Sequence, residues 1–412
     1  MTIQDFIAAN HLILDAQTLR LETDHFIAEL QHAMAGQPSS LMALPAYLDP
    51  SMRPAKPSNV IFLDAGGTHL RSGLAAWEDG RLTIVDEKKR SLPGIATRMT
   101  ASEFFIEIAK EIVPYAAKAD RIGFCFSFPA DVKPTRDAEI LRFTKEVNIP
   151  DAIGLHVGNE LLKAMESLRL PCHHEITILN DTVATLLSGA ATCTAGDANY
   201  IGLILGTGLN TAITVEKSRL LGFPSLCSQP GRMIINLESG GYKPLCANQI
   251  DNDFFASTRK PDEHQFEKLI SGGYQGNLFL HYLRTAAHCD CFTAQTKAAI
   301  LAQDALPSVE LDLFAAASPN NTLDQITQDA QEDRPVIQAL LLCFAERIAA
   351  LVRMDLNAVV AVMNTDLPVV TAIEGTVGTK SKIFKDAFTP PTGMHIQYLD
   401  GTTLGTALAG LV

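Results

Sequence analysis

The chain lacks the features that usually mark membrane, secreted and nucleic-acid-binding proteins. No apolar stretch reaches the roughly 18 residues of a membrane span. The best candidate, at 339–352, is interrupted by Glu346 and Arg347. Asp5 stands where a signal peptide would carry basic residues. The formal net charge of −13 disfavours a surface for nucleic acid or anionic lipid. We therefore expect a cytoplasmic protein with neither kind of partner, and the sequence indicates no protein partner.

The chain also lacks a cysteine or histidine framework. Its eight cysteines are scattered and contain no Cys-x-x-Cys pair, only the isolated Cys289-x-Cys291. Without a secretion signal this spacing predicts reduced thiols, several of them serving as small apolar residues. The eleven histidines show no metal-ligand spacing, and we interpret His173-His174 as a polar loop end before a strand.

The composition is that of a globular protein large enough for two domains. Of its 412 residues 47% are apolar and 19% are charged. Apolar residues recur at helical spacing over the first 35 residues, and a Pro-rich connector follows at 50–58. There is no short-period repeat and no low-complexity segment.

From residue 59 the pattern changes to short strands joined by turns. "VIFLDA", "RSGLAAW" and "RLTIVDE" predict an antiparallel meander, which a helix at 101–117 and the strand "RIGFCFSF" follow. A second cycle is predicted from "EITILNDTVATLL" at 175–187, through "YIGLILG" and "NTAITVE", into a helical region. A strand pair near 368–377 and 395–400 precedes a closing helix. Two such cycles predict a duplicated α/β unit with a ligand cleft between its halves.

Two strand pairs are joined by the same kind of small-residue turn. Residues 62–71 read "FLDAGGTHLR" and residues 203–212 read "LILGTGLNTA". Glycine lets bare backbone N–H groups approach an anion, and Thr68 and Thr207 add hydroxyl donors. Asp64 and Arg71 flank the first turn, the one suited to a hydrated cation and the other to phosphate oxygens.

Each turn by itself also fits a plain hairpin. Neither has the G-K-[ST] ending of a P-loop, and neither is a G-x-G-x-x-G motif. The occurrence of two such turns in equivalent places favours a nucleotide that is held from both halves.

With these segments in view, the chain resembles the hexokinase family of the actin-like sugar kinases. The two turns resemble its phosphate turns, and "FCFSFP" and "FTKEVNIP" its sugar loops. "LNDTVATLLSGA" resembles the segment of its catalytic aspartate. "INLESGGY" and "QFEKLISGGY" resemble its glutamate segments, and "TAIEGTVGTK" and "LDGTTLGTALA" its adenosine loop and final helix. Each segment is weak evidence alone, but together they occur in the family's order.

The resemblance implies a two-lobed actin-like, ribonuclease H-like fold with mixed sheets and an inter-lobe cleft. It divides the chain into an N-terminal helical segment and connector, a small α/β domain and a large one. The predicted ranges are 1–57, 58–179 and 180–396, with a C-terminal helix at 397–412 that returns to the small domain.

The implied reaction is ATP-dependent phosphorylation of a hexose, glucose first, at its 6-hydroxyl. Asp181 would accept the proton of that hydroxyl, and Lys145 would stabilise the transferring phosphoryl group. Mg²⁺ is expected with ATP. The positions that match the family's hexose contacts are Ser127, Thr144, Lys145, Asn180, Asp181, Asn210, Glu238 and Glu267. The positions that match its nucleotide contacts are Asp64, Gly66, Gly67, Thr68, Arg71, Gly206, Thr207, Gly208, Gly375 and Thr376.

The same residues also have structural interpretations. Asp181 alone would be a helix cap before "TVATLL", Lys145 a solvated lysine, and Glu238 and Glu267 exposed carboxylates. Yet a hexose site needs many hydroxyl partners, and a carboxylate within reach of an alcohol can act as its base. These segments supply both.

Four positions depart from the family's pattern. His69 stands where Asn is usual, Ser239 where an aromatic residue is common, Glu374 where Asp is typical, and Leu404 where Lys is often found. They leave two alternatives open. One is a sugar sensor of the same fold without turnover, and the other is a kinase for another hexose or another phosphoryl donor.

Overall fold

The computed structural model describes residues 1–95, 97–143, 147–171, 174–193 and 198–412. Most strands of this part form two mixed sheets, and helices cover both. The strands are β1 (Leu44–Pro45), β2 (Ser58–Ala65), β3 (His69–Glu78), β4 (Arg81–Ser91), β5 (Arg121–Phe126), β6 (Ala130–Val132), β7 (Ala138–Ile140), β8 (Glu175–Leu179), β9 (Asn199–Leu205), β10 (Leu209–Glu216), β11 (Arg232–Asn236), β12 (Val369–Glu374) and β13 (Met394–Tyr398).

α-Helices make up most of the remaining regular structure. They are α1 (Ile3–Ala9), α2 (Ala16–Met34), α3 (Ala101–Ile112), α4 (Val157–Ser167), α5 (Asp181–Thr192), α6 (Pro224–Cys227), α7 (Gln249–Ser257), α8 (Gln265–Ile270), α9 (Gln275–His288), α10 (Ala294–Leu301), α11 (Val309–Ala315), α12 (Thr322–Ile326), α13 (Arg334–Met363), α14 (Thr376–Lys380), α15 (Lys382–Ala387) and α16 (Thr403–Leu411).

The first sheet has the strand order β4-β3-β2-β5-β8. The meander β2-β3-β4 is antiparallel, as predicted, and β5 and β8 add to it in parallel. The sequence pattern predicts that residues 175–179 begin the second α/β cycle. This prediction is wrong, because these residues form β8, which pairs with β5 and completes the first sheet.

The second sheet repeats this topology. Its order is β1-β11-β10-β9-β12-β13, in which β9-β10-β11 is the antiparallel meander and β12 and β13 are the parallel additions. The short β1 extends the edge next to β11. The predicted duplication of a mixed α/β unit is therefore confirmed.

Helices α5 and α16 are exchanged between the two sheets. Helix α5 follows β8 of the first sheet but packs on β9 and β12 of the second, whereas α16 follows β13 and packs on β2 and β5. Glycines permit the close approach. A Cβ on Gly202 would collide with the carbonyl of Thr182, and one on Gly123 with that of Thr406. The predicted range 397–412 for the last helix begins too early, because residues 397 and 398 still belong to β13.

The N-terminal helices belong to the larger hydrophobic core. Ile3, Phe6, Phe26 and Leu30 are buried in one hydrophobic cluster with apolar side chains of α13 and of the second sheet. Helix α13 lies within this core. By length and composition Gln331–Met363 could cross a membrane, but 67% of its most apolar window is buried inside the protein. Its apolar character is thus accounted for by packing.

Candidate active site

A cleft of about 1880 Å³ lies between the two sheets and is lined by residues from both. It is bordered by the two glycine turns, by the carboxyl ends of β5, β8 and β12, and by the loop after β11. The carboxyl ends of parallel strands are a common place for ligands in α/β proteins. Sixteen of the predicted residues line this cleft: Asp64, Gly66, Gly67, Thr68, Arg71, Ser127, Asn180, Asp181, Gly206, Thr207, Gly208, Asn210, Glu238, Glu267, Gly375 and Thr376. Thr144 and Lys145 lie outside the described residues.

The two glycine turns occupy equivalent places in the two sheets. Residues 66–68 join β2 to β3 and residues 206–208 join β9 to β10, each over three residues. The N–H of Gly66 donates to the carbonyl of His69 at 3.0 Å, and that of Gly206 to the carbonyl of Gly208 at 3.0 Å.

The remaining backbone N–H groups of these turns indicate a site for an anion. Within the described ranges no acceptor pairs with the N–H of Gly67, Thr68, Thr207 or Gly208. Gly67 and Gly208 are half-buried, whereas Thr68 and Thr207 are exposed in the cleft. Backbone N–H groups that line a cleft at a small-residue turn suit phosphate oxygens.

The second turn is held by the segment after α8. The N–H groups of Gly272 and Gly273 donate to the carbonyls of Gly206 and Thr207, at 2.7 and 3.0 Å. The side chain of Glu267 accepts from the N–H of Leu209 at 3.0 Å. Glu267 thereby fixes the start of β10 while it lines the cleft.

Gly375 borders the cleft next to the second glycine turn. Its φ of +107° is a conformation for glycine, and a Cβ there would lie 2.6 Å from the backbone nitrogen of Gly206. Opposite it, Arg71 donates to the carbonyl of Asp400 at 3.4 Å. Gly401, at φ +130°, leaves room for the Arg71 guanidinium.

Asn180, and not Asp181, is the cap of helix α5. The Asn180 side-chain oxygen accepts from the N–H of Thr182 at 2.8 Å, and Asp181 is the first helical residue. The helix-cap interpretation of Asp181 is therefore wrong. The helix dipole favours an anionic group in the first turn, such as the Asp181 carboxylate. What Asn180 can still offer a ligand is its amide N–H₂ group.

A polar cluster surrounds Glu238. Its carboxylate accepts from the Nδ2 of Asn236 at 2.7 Å and from the Nδ2 of Asn210 at 3.2 Å. Asn210 also donates to the Oδ1 of Asn236 at 2.9 Å. Glu238 has a φ of +49°, and such a strained backbone persists only where the surroundings fix it. Its side chain is thus held at a defined place in the cleft.

The carboxylates of the cleft disfavour one another's charge. Burial raises the pKa of Asp64, while the hydroxyl of Thr402, which donates to it at 3.0 Å, and Arg71 oppose this. Burial also raises the pKa of Glu238 and of Glu374. The negative charge of Asp181 contributes to the raised pKa of Asp64, Glu238 and Glu374. A cation that arrives with the substrate would relieve this repulsion.

The donor set fits a magnesium ion carried by phosphates. The described residues contain no cluster of three or more His, Cys, Asp or Glu that could hold a metal. Mg²⁺ is commonly held by one or two carboxylates, water and substrate phosphates. Asp64 and Asp181 are the carboxylates that fit this arrangement.

The four departures have different surroundings. The Nδ1 of His69 shares a hydrogen bond of 2.7 Å with the hydroxyl of Thr68. Glu374 lines the cleft at the end of β12, and Ser239 is fully buried behind Glu238. Leu404 is half-buried in the first turn of α16.

Two polar residues of the cleft were not predicted from the sequence. Asn236 and Thr402 hold the carboxylates of Glu238 and Asp64, respectively. Both lie in segments that carry the family resemblance, two residues from Glu238 and next to Gly401. Their position within segments that resemble the family was the signal that could have identified them.

Family models and sequence relatives agree with the family resemblance. Two models described as Hexokinase match residues 5–191 and 200–392. Hexokinase-5 of Oryza sativa subsp. japonica is 28% identical over 340 residues, which are 78% of this chain and 64% of the relative. Hexokinase-1 of Nicotiana tabacum is 26% identical over 387 residues, 87% of this chain and 77% of the relative.

Hexokinase-3 of Homo sapiens is 29% identical over 67% of this chain and 31% of its own length. The chain thus spans less than two thirds of the rice and human relatives.

Solved structures share the whole fold. A hexokinase from Schistosoma mansoni, solved in complex with glucose, has a TM-score of 0.76 and 20% identity, covering 99% of this chain and 98% of that one. A second hexokinase crystal structure has a TM-score of 0.77 and 20% identity, with 97% and 96% covered. This likeness confirms the two-lobed fold, and the two family models, which together match most of the chain, show that the protein belongs to the hexokinase family.

Proposed function

We propose that this protein transfers the terminal phosphoryl group of ATP to the 6-hydroxyl of a hexose, with glucose as the first substrate to test. The observation that carries the proposal is the position of Asp181. Its carboxylate lies in the same cleft as two anion-binding turns and the polar cluster around Glu238. Nucleotide and alcohol would therefore meet at this carboxylate.

The hexose would occupy the side of the cleft with Asn180, Asn210, Asn236, Glu238 and Glu267. Sugar hydroxyls both donate and accept, and these amides and carboxylates supply both kinds of partner. Because Glu238 and its partners are already bonded to one another, the site is arranged before the sugar arrives. A hexose lacking a hydroxyl would leave buried polar groups unpaired, which is the basis for selectivity.

The phosphates of ATP would bind at the N–H groups of residues 67–68 and 207–208, with Arg71 beside them. Gly375 and Thr376 would border the nucleoside. Mg²⁺ carried by the phosphates would offset their charge, and Asp64 and Asp181 would orient it.

Proton transfer is assigned to Asp181. An alcohol is a weak nucleophile at neutral pH, and a carboxylate within hydrogen-bond reach can take its proton as the bond to phosphorus forms. The other residues of the cleft position the two substrates and exclude water. Such positioning is a main source of catalysis in phosphoryl transfer.

One assay separates this proposal from its alternatives. Purified protein is given ATP and Mg²⁺ with glucose, mannose, fructose or an amino sugar, and sugar phosphate and ADP are measured together with sugar binding. Product with glucose supports the proposal. Binding without product indicates a sensor, and product with another sugar or another phosphoryl donor only would change the assigned substrate.

A further inference from the structure

A carboxyl group lies beneath the hexose side of the cleft, outside the cleft itself. Asp355 belongs to the long core helix α13 and has no exposed surface. Its Oδ2 accepts from the hydroxyl of Thr211 at 2.7 Å, and its Oδ1 has no partner among the described residues. Burial of a carboxyl without a cation is costly, so its single hydrogen bond deserves an explanation.

Thr211 links this carboxyl to the turn behind Glu238. The Ser239 hydroxyl donates to the Thr211 hydroxyl oxygen at 3.0 Å, and both side chains are fully buried. The backbone of the same two segments is also joined, because the N–H of Leu237 donates to the carbonyl of Thr211 at 3.0 Å. Asp355, Thr211 and Ser239 form one hydrogen-bonded relay, which we call the Asp355 relay.

The Asp355 relay ends next to the strained residue of the site. Ser239 follows Glu238, whose φ is +49°. The N–H of Ser239 donates at 3.3 Å to the Oδ1 of Asn210, the amide that also contacts Glu238. Moving Ser239 would therefore shift both Glu238 and one of its partners.

Several charged groups on the elements packed against α13 have hydrogen-bond partners other than Asp355. Asp5 of α1 pairs with Thr2, Glu22 of α2 with Tyr242, Lys268 of α8 with the carbonyl of Lys260, Asp333 before α13 with Thr293, and Lys382 of α15 with Asp386. Within α13 and α9, Arg347 and Tyr282 both bond Asp251. Glu267 of α8 accepts from the N–H of Leu209.

Burial, opposed by the Thr211 hydrogen bond, raises the pKa of Asp355 to about 7. When ionised, the carboxylate is an acceptor only, so Thr211 must donate to it and accept from Ser239. When protonated, it can donate to Thr211, and the relay can reverse its direction. The state of one buried group thus decides how Ser239 is held.

We propose that Asp355 is a positioning residue for the hexose, acting through Thr211 and Ser239 on the turn that carries Glu238. The protonation of a group outside the cleft then controls the order of this turn. The effect on hexose affinity rests on the proposed function, whereas the effect on the turn does not.

The first test needs no sugar. Hydrogen–deuterium exchange of the segment 236–242 is followed from about pH 5.5 to about pH 8.5, corrected for the intrinsic pH dependence. We expect wild-type protection to change about fivefold or more around neutral pH, at the lower end of coupling between linked sites. Asp355→Asn, which keeps the shape but cannot titrate, should abolish the change, and so should Thr211→Val.

The second measurement is glucose affinity in the same proteins. Asp355→Asn and Thr211→Val should weaken it about fivefold with little change in kcat, as for positioning. Thr214→Val is the matched control, because this buried threonine of β10 bonds the carbonyl of Tyr200 instead and should behave as wild type. Should the Thr211 variant not fold, Ser239→Ala interrupts the same relay.

Unchanged exchange of 236–242 in all relay variants, or a wild type with no change across neutral pH, overturns the inference. A wild type that shows the change but binds no hexose overturns the proposed function instead.

Discussion

Asn180 caps helix α5 with its side-chain oxygen, at 2.8 Å from the N–H of Thr182, and the neighbouring Asp181 is thereby free of the capping role. Two adjacent residues that look interchangeable in the sequence have different tasks. Asn180 caps the start of the helix, and Asp181 presents a carboxylate to the cleft from the first helical turn.

Asp181→Asn should reduce kcat by about 10²- to 10⁴-fold, because the amide keeps the shape of the side chain but cannot accept the proton. Glucose binding should persist and is measured by calorimetry. Asp79→Asn, in the exposed turn between β3 and β4, is the control and should leave kcat unchanged. Near-normal turnover of Asp181→Asn would remove this residue from its role.

Asn236→Ala should weaken the hexose site without touching the nucleotide. It removes the 2.7 Å hydrogen bond that holds the Glu238 carboxylate, at a cost of about 1–3 kcal/mol. We expect the KM for glucose to rise about tenfold while the KM for ATP stays the same. Asn59→Ala, whose exposed side chain bonds the carbonyl of Lys118, serves as control. Equal changes in both KM values would contradict this assignment.

Gly375→Ala should damage nucleotide binding. A Cβ at φ +107° would press against Leu205 and Gly206, next to the second glycine turn. We expect a higher KM for ATP and a lower melting temperature. Gly393→Ala is a matched control, because it also has a positive φ, of +77°, but nothing lies within 4 Å of its added Cβ. An equal KM for ATP in both variants would show that the close approach of Gly375 to Gly206 is not needed for nucleotide binding.

Asp251→Ala should destabilise the large core strongly. Asp251 pairs with Arg347 at 2.8 Å, and the two side chains are 0% and 3% exposed. Removing one partner leaves a buried charge, which costs about 3–5 kcal/mol in the free energy of unfolding. Asp386→Ala breaks the exposed pair with Lys382 and should cost less than about 1 kcal/mol. Denaturant unfolding of both variants measures the difference.

Stability should depend on pH through Asp355. Because its pKa in the folded protein, about 7, lies above the ordinary value of 3.8, the folded state favours the protonated form. Its contribution to stability is full below about pH 4 and is lost as the pH rises through 7. The three-unit difference corresponds to on the order of 4 kcal/mol.

Asp355→Asn should therefore unfold at higher denaturant concentration than wild type at pH 8, with a smaller difference at pH 5. A difference that does not vary with pH would show that Asp355 is not the titrating group.

Local sequence patterns were sufficient for much of the fold. Short strand-forming runs separated by turns predicted the β2-β3-β4 meander, and the two glycine turns lie where small residues interrupt strands. The family resemblance brought Asp181, Asn210, Glu238 and Glu267 together, and the structure places all four at one cleft. Their catalytic and binding roles, the domain boundaries and the location in the cell stay predictions.

Long-range relationships could not be predicted in the same way. Pairing of β8 with β5 and of β1 with β11 depends on residues far apart in the chain, and β1 has only two residues. Glu22 of α2 is buried and accepts from the hydroxyl of Tyr242 at 2.6 Å, a contact between residues that are 220 positions apart. The role of Asp355 was equally unpredictable, because an isolated acid in a mostly apolar helix forms no periodic pattern.

The exchange of α5 and α16 has a consequence for how the protein can be divided. Each sheet is covered by a helix that grows from the other, so neither half contains all of its own core. A fragment that ends before residue 403 would leave an apolar face of β2 and β5 bare, and one that starts after residue 192 would do the same to β9 and β12. The two lobes are therefore distinct in the structure but depend on each other for folding. Each half expressed alone should aggregate, and the two halves should associate when they are mixed.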